Sequence, residues 1–190
     1  KMGTMIVDSG ISVDNADPEV QEQKTSLHSS RSRLKGTVQV VEFVIGDELF
    51  AVDLFDTREV ITTPEVTSIP NAPTFITGMI DLRGVITIII DLRIMMNIAK
   101  ESSGKKKSRI IVLDKTVSDK MIGILVDDVY SVTNYSKEDI DQEAHSSREG
   151  HRDILGVIRK HKKDAHGKEK SSLIICLDIR KMIGRVEKDL

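Results

Sequence analysis

From Thr37 onward, short apolar runs alternate with turn residues at close intervals, the texture of a chain of strands. Val38-Gln39-Val40-Val41-Glu42-Phe43-Val44-Ile45 is rich in β-formers, Gly46-Asp47-Glu48 reads as a turn, and Leu49 to Leu54 returns as a second strand. Pro64, Pro70 and Pro73 then fall within ten residues and mark an irregular crossing, with Asn71 and Pro73 placed to cap a turn of helix over Thr74-Phe75-Ile76. Gly78 to Leu82 predicts a strand, Arg83-Gly84 the tight turn, and Val85 to Ile90 its return. Five apolar residues in that six-residue return predict a strand buried on both faces.

The second half repeats the first. Gly123-Ile124-Leu125-Val126-Asp127-Asp128-Val129-Tyr130-Ser131-Val132 aligns with Ala51 to Val60, Ile154 to Ile158 with Ile76 to Ile80, and Ile175 to Arg180 with Ile88 to Arg93. The order is kept and only the gaps grow, most of all in the last hairpin, where 159–172 replaces the tight Arg83-Gly84 turn. Two copies of one strand-rich unit, each with about five strands, suit small closed barrels, since closure removes open edges. A short helix is expected after each last strand, with Asp91 and Asp178 as N-caps. Ile179, Met182, Ile183, Val186 and Leu190 form one helical stripe that should pack on a barrel. The predicted domain is 37–190, with repeat halves of about 37–100 and 108–190 and strand exchange between the barrels left open.

Residues 1–36 read differently: polar and acidic from Asp8 to Gln23, rich in Ser and Arg from Ser26 to Arg33, with no apolar period. A flexible tail is expected, because little burial would offset its ordering entropy. Lys105-Lys106-Lys107, next to Ser102-Ser103-Gly104, reads as a linker between the halves.

Composition narrows the function. Net charge is −2 and aromatic content 3% with no Trp, which argues against nucleic acid and base-stacking platforms. The one cysteine, Cys176, lies in the apolar run Leu173 to Leu177 and reads as a buried, inert thiol. No stretch reaches the roughly 18 apolar residues of a membrane span, so a cytoplasmic location without membrane insertion is expected.

The search for chemistry finds little. There is no phosphate loop and no nucleophile elbow. His28, His145, His151, His161 and His166 all lie in the tail or in polar segments, and the lysines around His161 and His166 oppose a cation. Asp127 and Asp128 are adjacent on a strand, so they point to opposite faces and read as solvated surface. No catalytic residue, cofactor site or metal site is assigned; the pattern favours a binding protein over an enzyme.

Between Asp53 and Arg93 stand, in order, Arg58-Glu59-Val60-Ile61, Pro64-Glu65-Val66-Thr67, Ile69-Pro70-Asn71-Ala72-Pro73, Phe75-Ile76-Thr77-Gly78, Asp81-Leu82-Arg83-Gly84-Val85 and Ile89-Ile90-Asp91-Leu92-Arg93. This ordered set strongly resembles the signature of the CheW family of chemotaxis adaptors, and the likeness continues to near Ile183. The resemblance implies a mainly β fold of two SH3-like five-stranded barrels sharing a core, with short helices. It also implies a non-enzymatic adaptor that couples methyl-accepting chemoreceptors to the regulatory domain of the histidine kinase CheA, recruited to membrane receptor arrays. Four positions match family interface positions: Arg83 at the turn, the acidic Glu59, Gly78, and Thr57 where the family often has Val. Asp81 departs from the usual Asn and is expected to interact with Arg83 beside it. The alternatives are a regulatory fragment of a CheA- or CheV-type protein and, from another class, an SH3- or Sm-like RNA-binding module.

Overall fold

The computed structural model describes residues 36–98, 108–142, 153–163 and 169–187. The expected tail, the Lys105-Lys107 linker, Leu190 and all histidines but His161 therefore lie outside the described residues, Gly36 excepted.

The strands are β1 (Thr37–Ile45), β2 (Glu48–Asp53), β3 (Thr57–Thr62), β4 (Ile76–Leu82), β5 (Val85–Asp91), β6 (Arg109–Leu113), β7 (Ile122–Val126), β8 (Asp128–Ser136), β9 (Ile140–Asp141), β10 (Ile154–Lys163) and β11 (Glu169–Leu177). Helix α1 (Leu92–Met95) follows β5 and α2 (Ile179–Val186) follows β11. The Asp91 carboxylate accepts the Arg93 and Ile94 N–H groups, and that of Asp178 accepts the Lys181 N–H. Both N-caps therefore fall where the sequence put them. Over 70–75 the chain only turns, and Ile76, whose N–H donates to the Pro73 carbonyl, already begins β4; the expected helical turn does not form.

Two sheets are built, in the orders β8-β1-β2-β11-β10-β9 and β3-β6-β7-β5-β4. The parallel ladders β2–β11 and β5–β7 reveal the logic. Each sheet combines the opening strand pair of one half, β1–β2 or β6–β7, with the later strands of the other half, and the order is the same in both, with β9 added to the first. Among the described residues no ladder joins β8 to β9 or β3 to β4, so hydrogen bonding leaves both barrels open.

Alternation along β1 shows how two of the three cores are filled. Val41, Phe43 and Ile45 enter a shared core with Phe50, Val52, Ile90, Leu92, Ile111 and Ile124, into which α2 lays Ile179, Met182, Ile183 and Val186. The Phe43 and Phe50 rings stack with centroids 5.9 Å apart. Val40 faces the other way, into the first sheet's own core with Ala51, Ile158, Ile174 and Cys176. Ile80, Ile89, Ile110 and Val112 fill the second sheet's core. Cys176 is buried, and burial, followed by the nearby Glu42 charge, pushes its thiol up to about 11.

Glu42 shares Val40's side of β1 and is 2% exposed. Lys160 of β10 reaches it across the roll, with Nζ at 2.9 and 2.7 Å from its two oxygens, and the Tyr135 hydroxyl of β8 donates to it at 2.7 Å. No ladder joins β1 to β10, so this pair ties the rolled sheet through its interior. Burial alone would raise the Glu42 pKa, but the bonds from Lys160, Tyr135 and Thr133 and the Lys160 charge outweigh it and hold the carboxyl below its ordinary 4.5. Burial and the bond to Glu42 push the Tyr135 phenol above its ordinary value.

Asp127 corrects the expectation of solvated surface. Its carboxylate accepts the Gly46 N–H at 2.7 Å from the β1–β2 turn and pairs with Arg93 of α1. It thereby joins the two sheets. Asp127 is the single link residue between β7 and β8, and Asp128, the first residue of β8, lies 3.6 Å from Arg109.

Lys160→Met should leave a buried carboxylate without its cation and destabilise the fold by roughly 3 kcal/mol, the low end for breaking a buried pair, because Lys160 is itself partly exposed. The double variant Glu42→Leu/Lys160→Met should recover most of that in urea titrations. Because Glu42 titrates lower folded than unfolded, its contribution is fully present above about pH 4.5 and is lost as pH falls through the folded-state value. Glu42→Gln should therefore flatten the acid limb of stability against pH.

Candidate functional site

The β4–β5 hairpin closes on Arg83-Gly84, with Leu82 paired to Val85 and φ of 55° and 82° at the two turn residues. Two successive positive φ values make this a type I′ turn, whose twist matches that of the strands it joins. The Asp81 carboxylate accepts the Gly84 N–H at 2.6 Å. Asp81 thus braces the turn backbone, and the expected contact with the Arg83 side chain is replaced by another.

Arg83 reaches Glu59 of β3 instead. Nη1 lies 3.2 Å from Oε1 and Nη2 2.9 Å from Oε2, a bidentate fork. Strands β3 and β4 are the two edges of their sheet. The pair therefore draws the edges together and pins the second roll from outside, as Glu42–Lys160 pins the first from within. The environments differ: the Arg83 side chain is 74% exposed and that of Glu59 22%. An ion pair so open to water contributes about 1 kcal/mol or less to stability. What it fixes is the position of a guanidinium on the surface.

Exposed apolar side chains stand next in sequence on the same strands. Val60 follows Glu59, and Val85 and Ile86 follow the turn; all three are exposed, Ile86 by 60%. This overturns the expectation that the whole return strand is buried. The β5–β7 ladder begins only at Ile88, so the hairpin end projects beyond its neighbour. A run of five apolar residues in six does not reveal where a strand outruns its sheet. Phe55, in the short turn before β3, is also exposed.

Thr57 opens β3 two residues before Glu59, with an irregularity between them where the β3–β6 register shifts. Its hydroxyl donates to the Asp53 carbonyl at 3.4 Å. Gly78 stands on β4 at another register shift. Thr67 exchanges two backbone hydrogen bonds with Met79, at 2.8 and 2.9 Å. This brings the Thr67 carbonyl so near that a Cβ on Gly78 would lie 2.2 Å from it. Gly156 repeats the device beside β9, where a Cβ would meet the Asp141 carbonyl at 2.9 Å. The structure thus joins Glu59 to Arg83 directly, sets Thr57 on the Glu59 strand, and gives Gly78 a role in the backbone of the Arg83 hairpin. Val60, Val85 and Ile86 are the additions that sequence reasoning missed.

Gly78→Ala should push β4 off the Thr67 segment and destabilise the protein by about 1–3 kcal/mol, the usual range for overpacking. Its thermal midpoint should fall well below that of Gly184→Ala on α2, where a Cβ meets open space. Equal midpoints would show that the crossing segment yields.

Two small rolled sheets on a common core, with an ion-paired hairpin at the surface of the second, define a protein of two SH3-like β-barrel subdomains. Residues 39–187 match the model of the CheW-like domain. The chain is 29% identical over 153 residues to the chemotaxis protein CheW of Treponema pallidum, covering 78% of this chain and 84% of that one. It is likewise 29% identical over 150 residues to CheW of Thermotoga maritima, covering 78% and 89%. Among solved structures it resembles the scaffolding protein TtCheW of Thermoanaerobacter tengcongensis, with a TM-score of 0.59, 30% identity, and 74% and 88% of the two chains covered. The chain belongs to the CheW-like family, whose members are non-enzymatic scaffolds of chemotaxis.

Proposed function

We propose that the chain is the adaptor that couples the cytoplasmic tips of methyl-accepting receptors to the regulatory domain of the histidine kinase CheA. In this reading it resides in the cytoplasm and is recruited to receptor arrays at the membrane. The observation that carries the proposal is the Glu59–Arg83 fork: an exposed guanidinium held in a fixed direction, on strands that also expose Val60, Val85 and Ile86. Protein interfaces are enriched in arginine and combine it with apolar side chains, and this hairpin and its neighbouring strand expose both. Thr57 and Glu59 contribute from β3 and Arg83 from the turn, while Gly78 acts through the backbone, keeping the hairpin seated on the Thr67 segment. Family membership supports the same partners. No helix among the described residues is long and apolar enough to cross a membrane, so attachment in this reading comes from the receptors.

Arg83→Glu tests it. Because the native pair is exposed, the variant should keep the far-UV spectrum and melting temperature of the parent. In vesicles reconstituted with receptor and CheA it should lower kinase activation by roughly tenfold or more, the scale of a charge reversal at an interface hot spot. The swap Glu59→Arg/Arg83→Glu rebuilds the pair with its charges exchanged. It should stay inactive if the guanidinium meets a partner, and recover if the pair only shapes the roll. Full activation by Arg83→Glu would remove Arg83 from the interface.

A further inference from the structure

The chain leaves the first sheet for the second over Leu54–Asp56, a single turn of 3-10 helix. The β1–β2 ladder ends at Asp53 and the β3–β6 ladder starts at Thr57, so no ladder holds the three residues between. Asp56 anchors them twice. Its carbonyl accepts the Asp114 N–H at 2.9 Å, just past β6, and its carboxylate accepts the Nε–H of Arg180 at 2.8 Å.

Arg180 is the second residue of α2, whose apolar stripe lies in the shared core. Its guanidinium also donates to the Thr116 carbonyl at 2.8 Å and to the Thr116 hydroxyl at 3.0 Å. The Thr116 N–H in turn donates to the Asp114 carboxylate at 2.9 Å. Asp56, Asp114, Thr116 and Arg180 thus close a ring of hydrogen bonds that joins α2, the β6–β7 connection and the β2–β3 link. Asp56 is 8% exposed, and burial pushes its carboxyl above its ordinary value despite the bond and charge of Arg180. Without the guanidinium a buried carboxylate would stand unpaired, a state relieved only by opening the link or taking up a proton.

The device occurs twice. Arg93 stands in α1 where Arg180 stands in α2, each two residues after the N-cap aspartate, and Arg93 pairs with Asp127 where the chain crosses back from the second sheet to the first. Both crossings are therefore held by the arginine of a helix that follows a last strand. At the first crossing the residues that come next are Thr57 and Glu59. Between them β3 carries one residue more than β6 opposite. A slip of one residue turns the side chains of a strand to the other face. The anchor at Asp56 fixes where β3 begins, and with it whether Glu59 faces Arg83.

We infer that Arg180 is a positioning residue: acting through Asp56, it sets the register of β3 and so holds Glu59 in place for its pairing with Arg83. The C-terminal helix thereby supports a surface to which it does not itself belong. Its effect on kinase coupling rests on the adaptor reading, whereas the placement of β3 does not.

Arg180→Met keeps the aliphatic stem and removes the guanidinium. Amide hydrogen exchange over 54–62 should quicken by roughly tenfold or more, the mark of local opening, while 173–177 of β11 exchanges as in the parent. Kinase activation in receptor–CheA vesicles should fall several-fold. Asp56→Asn/Arg180→Met also removes the unpaired charge, so its melting temperature should return most of the way to that of the parent, while the fast exchange over 54–62 and the low activation persist. Unchanged exchange over 54–62 in Arg180→Met would overturn the inference. So would recovery of slow exchange and full activation in the double variant in step with its melting temperature, for Arg180 would then serve stability alone. A parent chain that fails to activate CheA sinks the adaptor reading instead, and exchange over 54–62 then decides the role of Arg180.

Discussion

The two parallel ladders, β2–β11 and β5–β7, are the constraint on which the fold depends. Through them each half of the chain surrenders its last strands to the other half's sheet. Neither half holds a complete sheet of its own, and the shared core around Phe43, Phe50, Ile90 and Ile124 forms only when both have been exchanged. Parallel neighbours far apart in sequence must be brought together before any of their burial is realised, so the chain commits to both barrels together. Asp127, bonded to Gly46 and Arg93, then fastens the β7–β8 link against elements of the first half.

Since the ladders leave both rolls open, side chains complete them, and the two completions are opposite in kind. Glu42 and Lys160 meet inside, where burial makes an unpaired carboxylate expensive and the pair is structural. Glu59 and Arg83 meet outside, where water weakens the attraction and leaves a directed cation on display. The same geometric task is thus done once in the interior and once at the surface. Solvent exposure alone separates the roles.

The hairpins and caps were legible because local chemistry dictates them. Gly46, Arg83-Gly84, Asp91 and Asp178 stand where turns and helix starts require them, and the α2 stripe follows from a period of 3.6. The internal repeat was legible as aligned runs of residues, and the likeness of Asp53 to Arg93 to the family signature pointed to Glu59 and Arg83 together. Their bidentate contact was not legible, because it depends on how far a sheet curls, and curl is a property of the whole. Asp127 was read as surface because its partners come from residues 46 and 93, far away in the chain. For Asp81 the reason is simpler: closeness in sequence suggests contact with Arg83, whereas the turn brings the Gly84 N–H to its carboxylate and sends the Arg83 side chain to Glu59. Exposure of Val85 and Ile86 is not legible because apolar runs record composition and not the point at which a neighbouring strand stops.

Arg83 sits at a φ of 55°. Asparagine or glycine would be at ease in that left-handed conformation, whereas a branched cationic chain holds it at a cost of about 1 kcal/mol. Local backbone preference and the molecule's outward chemistry therefore disagree at this residue. Selection for stability alone would drift towards asparagine or glycine here, so under the proposed function an arginine at this turn marks a place where foldability is traded against what the surface must touch.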